Sequence, residues 1–216
     1  MSVLIDNLPL LLRGFWTTLV LSVLAGLGAL VLGTLLAALR VSPSAPLRGL
    51  GYVYVELLRN TPLTVVFFFM AFGLPQLDLA LPSFFLASLL ALVLYTAAFV
   101  CEAIRSGINA VAPGQAEAAR ALGMPFGQVI GQVVLPQAVR TVLPPLGNVW
   151  IALVKNSSIA SAFAVTELTA VLTRLSNQTA GALVAIGLGV TVGYLIITLP
   201  SGYVVSRFER RLAVSR

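Results

Sequence analysis

Side chains able to do covalent chemistry are few in this chain and do not cluster. The 216 residues contain no histidine, and Cys101 is the single cysteine. A histidine base, a disulfide within the chain and most His/Cys metal sites are therefore excluded. No Gly-x4-Gly-Lys-Ser/Thr phosphate loop occurs, so any nucleotide chemistry must belong to another polypeptide. The expectation is a chain that is not an enzyme and holds no cofactor or metal of its own, with Cys101 a small buried apolar residue. What remains is the chemistry of binding. Asn60 and Thr61 stand beside Pro62, and Lys155, Asn156, Ser157 and Ser158 form one polar run followed by Glu167. Together these offer donors for an anionic group and a carboxylate for a cationic one.

Elements that hold such groups are read from composition. Hydrophobic residues make up 59% of the chain and charged residues 9%, against roughly a quarter charged in a soluble domain. About 20 apolar residues in a helix cross the hydrocarbon layer. Five segments meet that need, near 15–39, 55–74, 84–104, 138–154 and 183–205. The reading is an all-α integral membrane protein, with 1–14 outside, a transmembrane domain over 15–206 and a tail over 207–216. Adjacent Pro144 and Pro145 make the fourth segment the least regular, because each removes a backbone donor. The first segment is longer than the apolar region of a signal peptide and no small-residue cleavage site follows it.

The net charge of +6 does not point to nucleic acid, because the basic residues are scattered singly through apolar runs. Membrane topology accounts for them. Arg40 and Arg48, then Arg105, Arg120 and Arg140, then Arg207, Arg210, Arg211 and Arg216 all fall on one side. The positive-inside rule assigns that side to the cytoplasm, with the N-terminus outside and the C-terminus inside. Ala25, Ala29, Gly33 and Ala37, and again Gly189 and Gly193, recur at four-residue spacing and read as packing faces.

The inner loop 106–135 is too polar to span and well punctuated. Pro113 and Gly114 break the preceding helix, Gln115 to Leu122 are good helix formers, Gly123 suits a left-handed C′ position and Pro125 opens a further turn. Two short helices follow from this, with Ala118, Ala119, Leu122 and Phe126 as an apolar surface for another protein. Glu117-Ala118-Ala119, then Gly123, then Val133, Leu135 and Pro136 resemble the EAA loop of ABC importer permeases, EAA-x3-G-x9-I-x-L-P, with Val133 in place of isoleucine. Leu58 to Leu63 and Lys155 to Ser161 are similar to the polar amino acid permeases of the His, Glu, Gln and Arg uptake systems. Arg-Asn-Thr-Pro-Leu and Gln-Ala-Glu-Ala-Ala-Arg look most like actinobacterial-type glutamate permeases.

That resemblance implies a type I ABC importer permease fold of the bacterial plasma membrane, with a coupling helix seated in a separate ATPase subunit. Glu117, Ala118, Ala119, Leu122, Gly123, Phe126, Leu135 and Pro136 would form the coupling loop. Two permease chains, identical or homologous, would sit on an ATPase dimer that uses ATP and magnesium. An external amino acid-binding protein would deliver a polar amino acid, glutamate or similar. Asn60, Thr61, Lys155, Asn156, Ser157, Ser158 and Glu167 are the expected substrate pathway. For Lys155 to Ser158 a second reading stays open, in which Lys155 reaches the outer headgroups and the others cap the next helix. Glu102 and Arg105, three residues apart, read as a helix-surface ion pair. The rival function is an ion-coupled secondary transporter or channel. It requires a carboxylate relay in the mid-membrane, which the positions of the acidic residues do not provide.

Overall fold

The computed structural model describes residues 2–179 and 181–213, and every regular element among them is helical. Met1 and Arg216, with its neighbours at the end of the tail, lie outside the described residues, as do the side chains of Glu209 and Arg211. A short α1 (Ser2–Asp6) leads into α2 (Leu8–Val41) of 34 residues. Then come α3 (Ala45–Arg59) and α4 (Leu63–Phe68), the latter prolonged by a π turn Phe69–Gly73 and a 3-10 turn Leu74–Leu77. After α5 (Phe84–Asn109) follow α6 (Pro113–Ala121) and the single turn α7 (Phe126–Gln128). A π turn Val129–Val134 carries the chain into α8 (Leu135–Asn156), and a 3-10 turn Ser157–Phe163 leaves it. α9 (Leu168–Gln178) and α10 (Leu183–Ala213) complete the fold.

By length and composition, α2, α5 and α10 can each cross a membrane, and counting each of two bent helix pairs as one crossing gives five. The small-residue stripe of α2 is the hinge of the packing. Ala25, Ala29, Gly33 and Ala37 are buried, and a Cβ added to Gly33 would stand 2.6 Å from Val100 Cβ and 2.8 Å from the Ala97 carbonyl oxygen. Only a glycine lets α2 lie this close to α5. Further along, Gly107 meets Val142 and Gly147 meets Val205, which draws α8 between α5 and α10. Cys101 is fully buried in the α2–α5 core, as a small apolar residue would be.

Two expected segments differ in shape. The run 55–74 is not one helix, because the chain bends by 103° between α3 and α4. Pro62 disfavours helical geometry at Thr61 and has no N–H to donate. The end of α3 is then closed by side chains: Asn60 Nδ2 donates to the Glu56 carbonyl at 2.8 Å and Thr61 Oγ1 to the Leu57 carbonyl at 2.7 Å. By contrast, α8 runs unbroken through Pro144 and Pro145. The donors lost there are those for the carbonyls of Arg140 and Thr141, which are exposed residues.

Candidate functional site

Residues 110–134 build a knob whose shape follows from one glycine. Pro113 opens α6 and Leu122 caps it, after which Gly123 takes φ +80°. The Gly123 N–H donates to the Arg120 carbonyl at 2.9 Å and the Met124 N–H to the Ala119 carbonyl at 3.2 Å. This is a Schellman closure, in which a left-handed C′ residue satisfies the last helical carbonyls. α6 packs on the Val129–Val134 turn. Ala119 is turned into that contact and is 5% exposed, so it is not part of the outer surface expected of it. Ala118 and Glu117 are exposed, and Leu122 and Phe126 project at 84% and 71% exposure. Two large apolar side chains are thus held out from the knob by a closed turn. The second short helix expected after Pro125 is only the turn α7, because the chain winds directly through the π turn into α8.

A cavity of about 390 Å3, mostly apolar in surface but carrying two amides and two hydroxyls, lies between α5 and α8. Tyr95, Thr96 and Phe99 line it from α5, with Asn148, Ala152 and Asn156 from α8. Residues 148, 152 and 156 are four apart, which places both amides on one helix face. A second cavity, of about 470 Å3, has an almost wholly apolar lining from α2, α5, α8 and α10. Thr96, Val149 and Leu153 line both spaces and form the wall between them.

Below the cavity between α5 and α8 Glu102 gathers charges from three helices. Its carboxylate accepts from Arg105 Nε at 3.1 Å and Nη2 at 2.9 Å, and meets Arg40 Nη1 of α2 at 3.2 Å. Arg59 Nη1, at the end of α3, stands 3.8 Å away. The expected pair of Glu102 and Arg105 is therefore part of a larger cluster that ties α2, α3 and α5 together.

Residues 29–214 match the model of the family described as binding-protein-dependent transport system inner membrane component. The chain belongs to this family. The glutamate transport system permease protein GluC of Corynebacterium efficiens is 43% identical, over 96% of each chain. The probable glutamine ABC transporter permease protein GlnM of Bacillus subtilis is 42% identical over 99% of this chain and 98% of the relative. Among solved structures, an amino acid ABC transporter crystallised with histidines matches at TM-score 0.89 and 34% identity, covering 96% of both chains. The protein is thus a multi-pass inner-membrane transport permease, not an enzyme, and its all-α fold is that of ABC importer permeases.

Within this permease the expected pathway residues are dispersed. Only Asn156 lines the cavity between α5 and α8. Asn60 and Thr61 cap α3, and Thr61 also faces a separate apolar groove with Tyr54, Val65 and Phe69. Lys155 is exposed. Ser157 is buried and donates to the Val154 carbonyl at 2.7 Å, while Ser158 donates to the Lys155 carbonyl at 2.7 Å. Glu167 is not in an outer loop facing a ligand. It is fully buried, and Oε1 accepts the Ala170 N–H at 2.8 Å as the N-cap of α9. Its Oε2 accepts from Tyr194 Oη at 2.7 Å, and Thr18 Oγ1 accepts the Leu168 N–H at 3.2 Å beside it. The carboxylate is thereby committed to joining α2, α9 and α10. Tyr95, Thr96, Phe99 and Asn148 line the cavity without standing out in the sequence; the four-residue spacing of Asn148, Ala152 and Asn156 is the one local signal of it.

Proposed function

We propose that the chain is the membrane-spanning subunit of an ATP-driven importer for a polar amino acid, glutamate or a near analogue. The observation that carries this reading is the cavity between α5 and α8, where Asn148 and Asn156 on one helix face stand opposite Tyr95 and Thr96, in contrast to the almost wholly apolar neighbouring cavity. Amides and hydroxyls offer both donors and acceptors, as the ammonium and carboxylate of an amino acid require. The names of the similar glutamate and glutamine permeases support the substrate class.

In this reading the knob is cytoplasmic, the N-terminus is outside and the C-terminus inside. Leu122 and Phe126 seat in a cleft of a separate ATPase, with Glu117 and Ala118 beside them, while Ala119 packs the knob from within, Gly123 closes its turn and the exposed Leu135 and Pro136 begin α8 at its base. A dimer of ATPase subunits, using ATP and magnesium, carries two permease chains, identical or homologous. An external amino acid-binding protein supplies the substrate. Closure of the ATPase dimer moves the knob as a rigid body, and the helices alternate access to the cavity.

The test is uptake of labelled glutamate into proteoliposomes holding the permease, its ATPase and the binding protein. Uptake that needs enclosed ATP and is abolished by vanadate is expected. Uptake driven by an ion gradient without ATP would overturn the proposal in favour of a secondary transporter.

A further inference from the structure

Arg59 belongs to a motif that resembles polar amino acid permeases, and it is the α3 member of the cluster around Glu102, held there by the longest of the three contacts. Glu102 accepts hydrogen bonds from Arg105, the nearest at 2.9 Å, and forms an ion pair with Arg40 at 3.2 Å. At 3.8 Å Arg59 lies beyond hydrogen-bond reach of the same carboxylate. Three guanidinium groups thus surround one carboxylate, and Arg59 is the loosest and most exposed of them, with its side chain 40% accessible. The other near carboxylate on its helix, Glu56, is engaged by Asn60 Nδ2 at 3.2 Å. The 103° bend that follows immediately leaves Arg59 at a helix end rather than within a continuous span. Its guanidinium stands 5.8 Å from the centroid of the Phe99 ring, and Phe99 is a wall of the cavity between α5 and α8. A loosely held, forked cation therefore sits beside a wall of a cavity whose own lining supplies amides and hydroxyls but no charge.

We infer that Arg59 is the carboxylate-binding residue of that cavity, exchanging its long contact with Glu102 for a bidentate contact with a carboxylate of the transported amino acid. A guanidinium matches a carboxylate with two parallel donors, which amides and a phenol cannot supply. Because Arg40 and Arg105 stay on Glu102, the exchange leaves no buried carboxylate unpaired. This inference rests on the cavity being the substrate site. The carboxylate is either the α-carboxylate common to all amino acids or that of an acidic side chain.

Equilibrium binding to the assembled permease–ATPase complex in nanodiscs, without nucleotide, separates the cases. The probes are labelled glutamate, glutamine and γ-aminobutyrate, which keeps the distal carboxylate and lacks the α-carboxylate. Arg59→Gln is expected to weaken glutamate by about tenfold or more, the loss of one charge-assisted pair, with Arg59→Lys recovering part of it. Loss for glutamate and glutamine with γ-aminobutyrate spared assigns the α-carboxylate. Loss for glutamate and γ-aminobutyrate with glutamine spared assigns the side chain. Wild-type binding with all three affinities unchanged in Arg59→Gln overturns the role of Arg59 alone. Equal loss of all three probes that Arg59→Lys fails to relieve also overturns it, since the effect is then structural. A wild-type complex that binds none of the probes overturns the cavity reading itself and this inference with it.

Discussion

Replacing Gly123 tests the knob at the residue that shapes it. The site is unusual in that a Cβ there would meet nothing within 4 Å, so space sets no penalty. What a side chain would face is the backbone at φ +80°. A left-handed conformation costs an ordinary L-residue roughly 1–2 kcal/mol, and more when the side chain is β-branched. That energy lowers the population of the closed turn by a factor of about 5–30 if the knob opens locally. Opening releases the Met124-to-Ala119 and Gly123-to-Arg120 bonds and lets Leu122 and Phe126 move independently. Asparagine tolerates the left-handed region, so a graded series follows: Gly123→Asn close to wild type, Gly123→Ala intermediate, Gly123→Val worst. The assay is glutamate transported per ATP hydrolysed in proteoliposomes containing the permease and its ATPase. Recovery of the permease from membranes serves as the control and should not change. Wild-type coupling in Gly123→Val, or equal damage from Asn and Val, would refute the reasoning.

Other substitutions separate structure from function. Leu122→Ser with Phe126→Ser removes two exposed side chains, so stability should stay within about 0.5 kcal/mol while co-purification of the ATPase is lost; retained association would deny the knob its docking role. Glu167→Ala strands the Ala170 N–H and leaves the Tyr194 hydroxyl only Thr169 Oγ1 as partner, which should cost about 1–3 kcal/mol in thermal or denaturant unfolding. Its KM for uptake should be unchanged, and a raised KM with intact stability would return Glu167 to the substrate path. Gly33→Leu forces side-chain atoms against Val100 and the Ala97 carbonyl, with an expected loss of about 1–3 kcal/mol or more; an unaltered melting temperature would contradict the close α2–α5 approach.

Periodic features proved readable, and features set by tertiary convergence did not. The four-residue stripe from Ala25 to Ala37 predicted a packing face, and that face lies on α5. Gly123 declared the turn because few other residues adopt its φ. The bend at Asn60 was hidden because a window of apolar residues gives the same signal whether or not a proline interrupts it; the Thr61-Pro62 step was the clue. Glu167 looked like a ligand group because its chain neighbours are polar, whereas its burial comes from Thr18 and Tyr194, 149 and 27 residues away. Likewise Glu102 and Arg105 could be paired from spacing, but nothing local announces Arg40 and Arg59.

The placement of the cavity relative to the knob gives the proposed coupling a physical route. Asn148 and Asn156 are carried by α8, whose first residue follows directly on the π turn against which α6 packs. From Leu135 to Asn148 the helix advances about 20 Å at roughly 1.5 Å per residue. No flexible linker intervenes, since α7, the π turn and α8 form one continuous winding. The Tyr95 and Phe99 wall belongs instead to α5, which is fastened to α2 by the Gly33 contact and to α2 and α3 by the charges around Glu102. In the proposed mechanism a displacement of the knob is carried along α8 to the amide wall, and the opposing wall is held back by α2 and α3, so the two shift about the Gly107–Val142 contact between α5 and α8. That relative motion is what a cavity needs if it is to be opened from one side at a time, and Arg59, held only loosely to Glu102, stands beside Phe99 of the α5 wall.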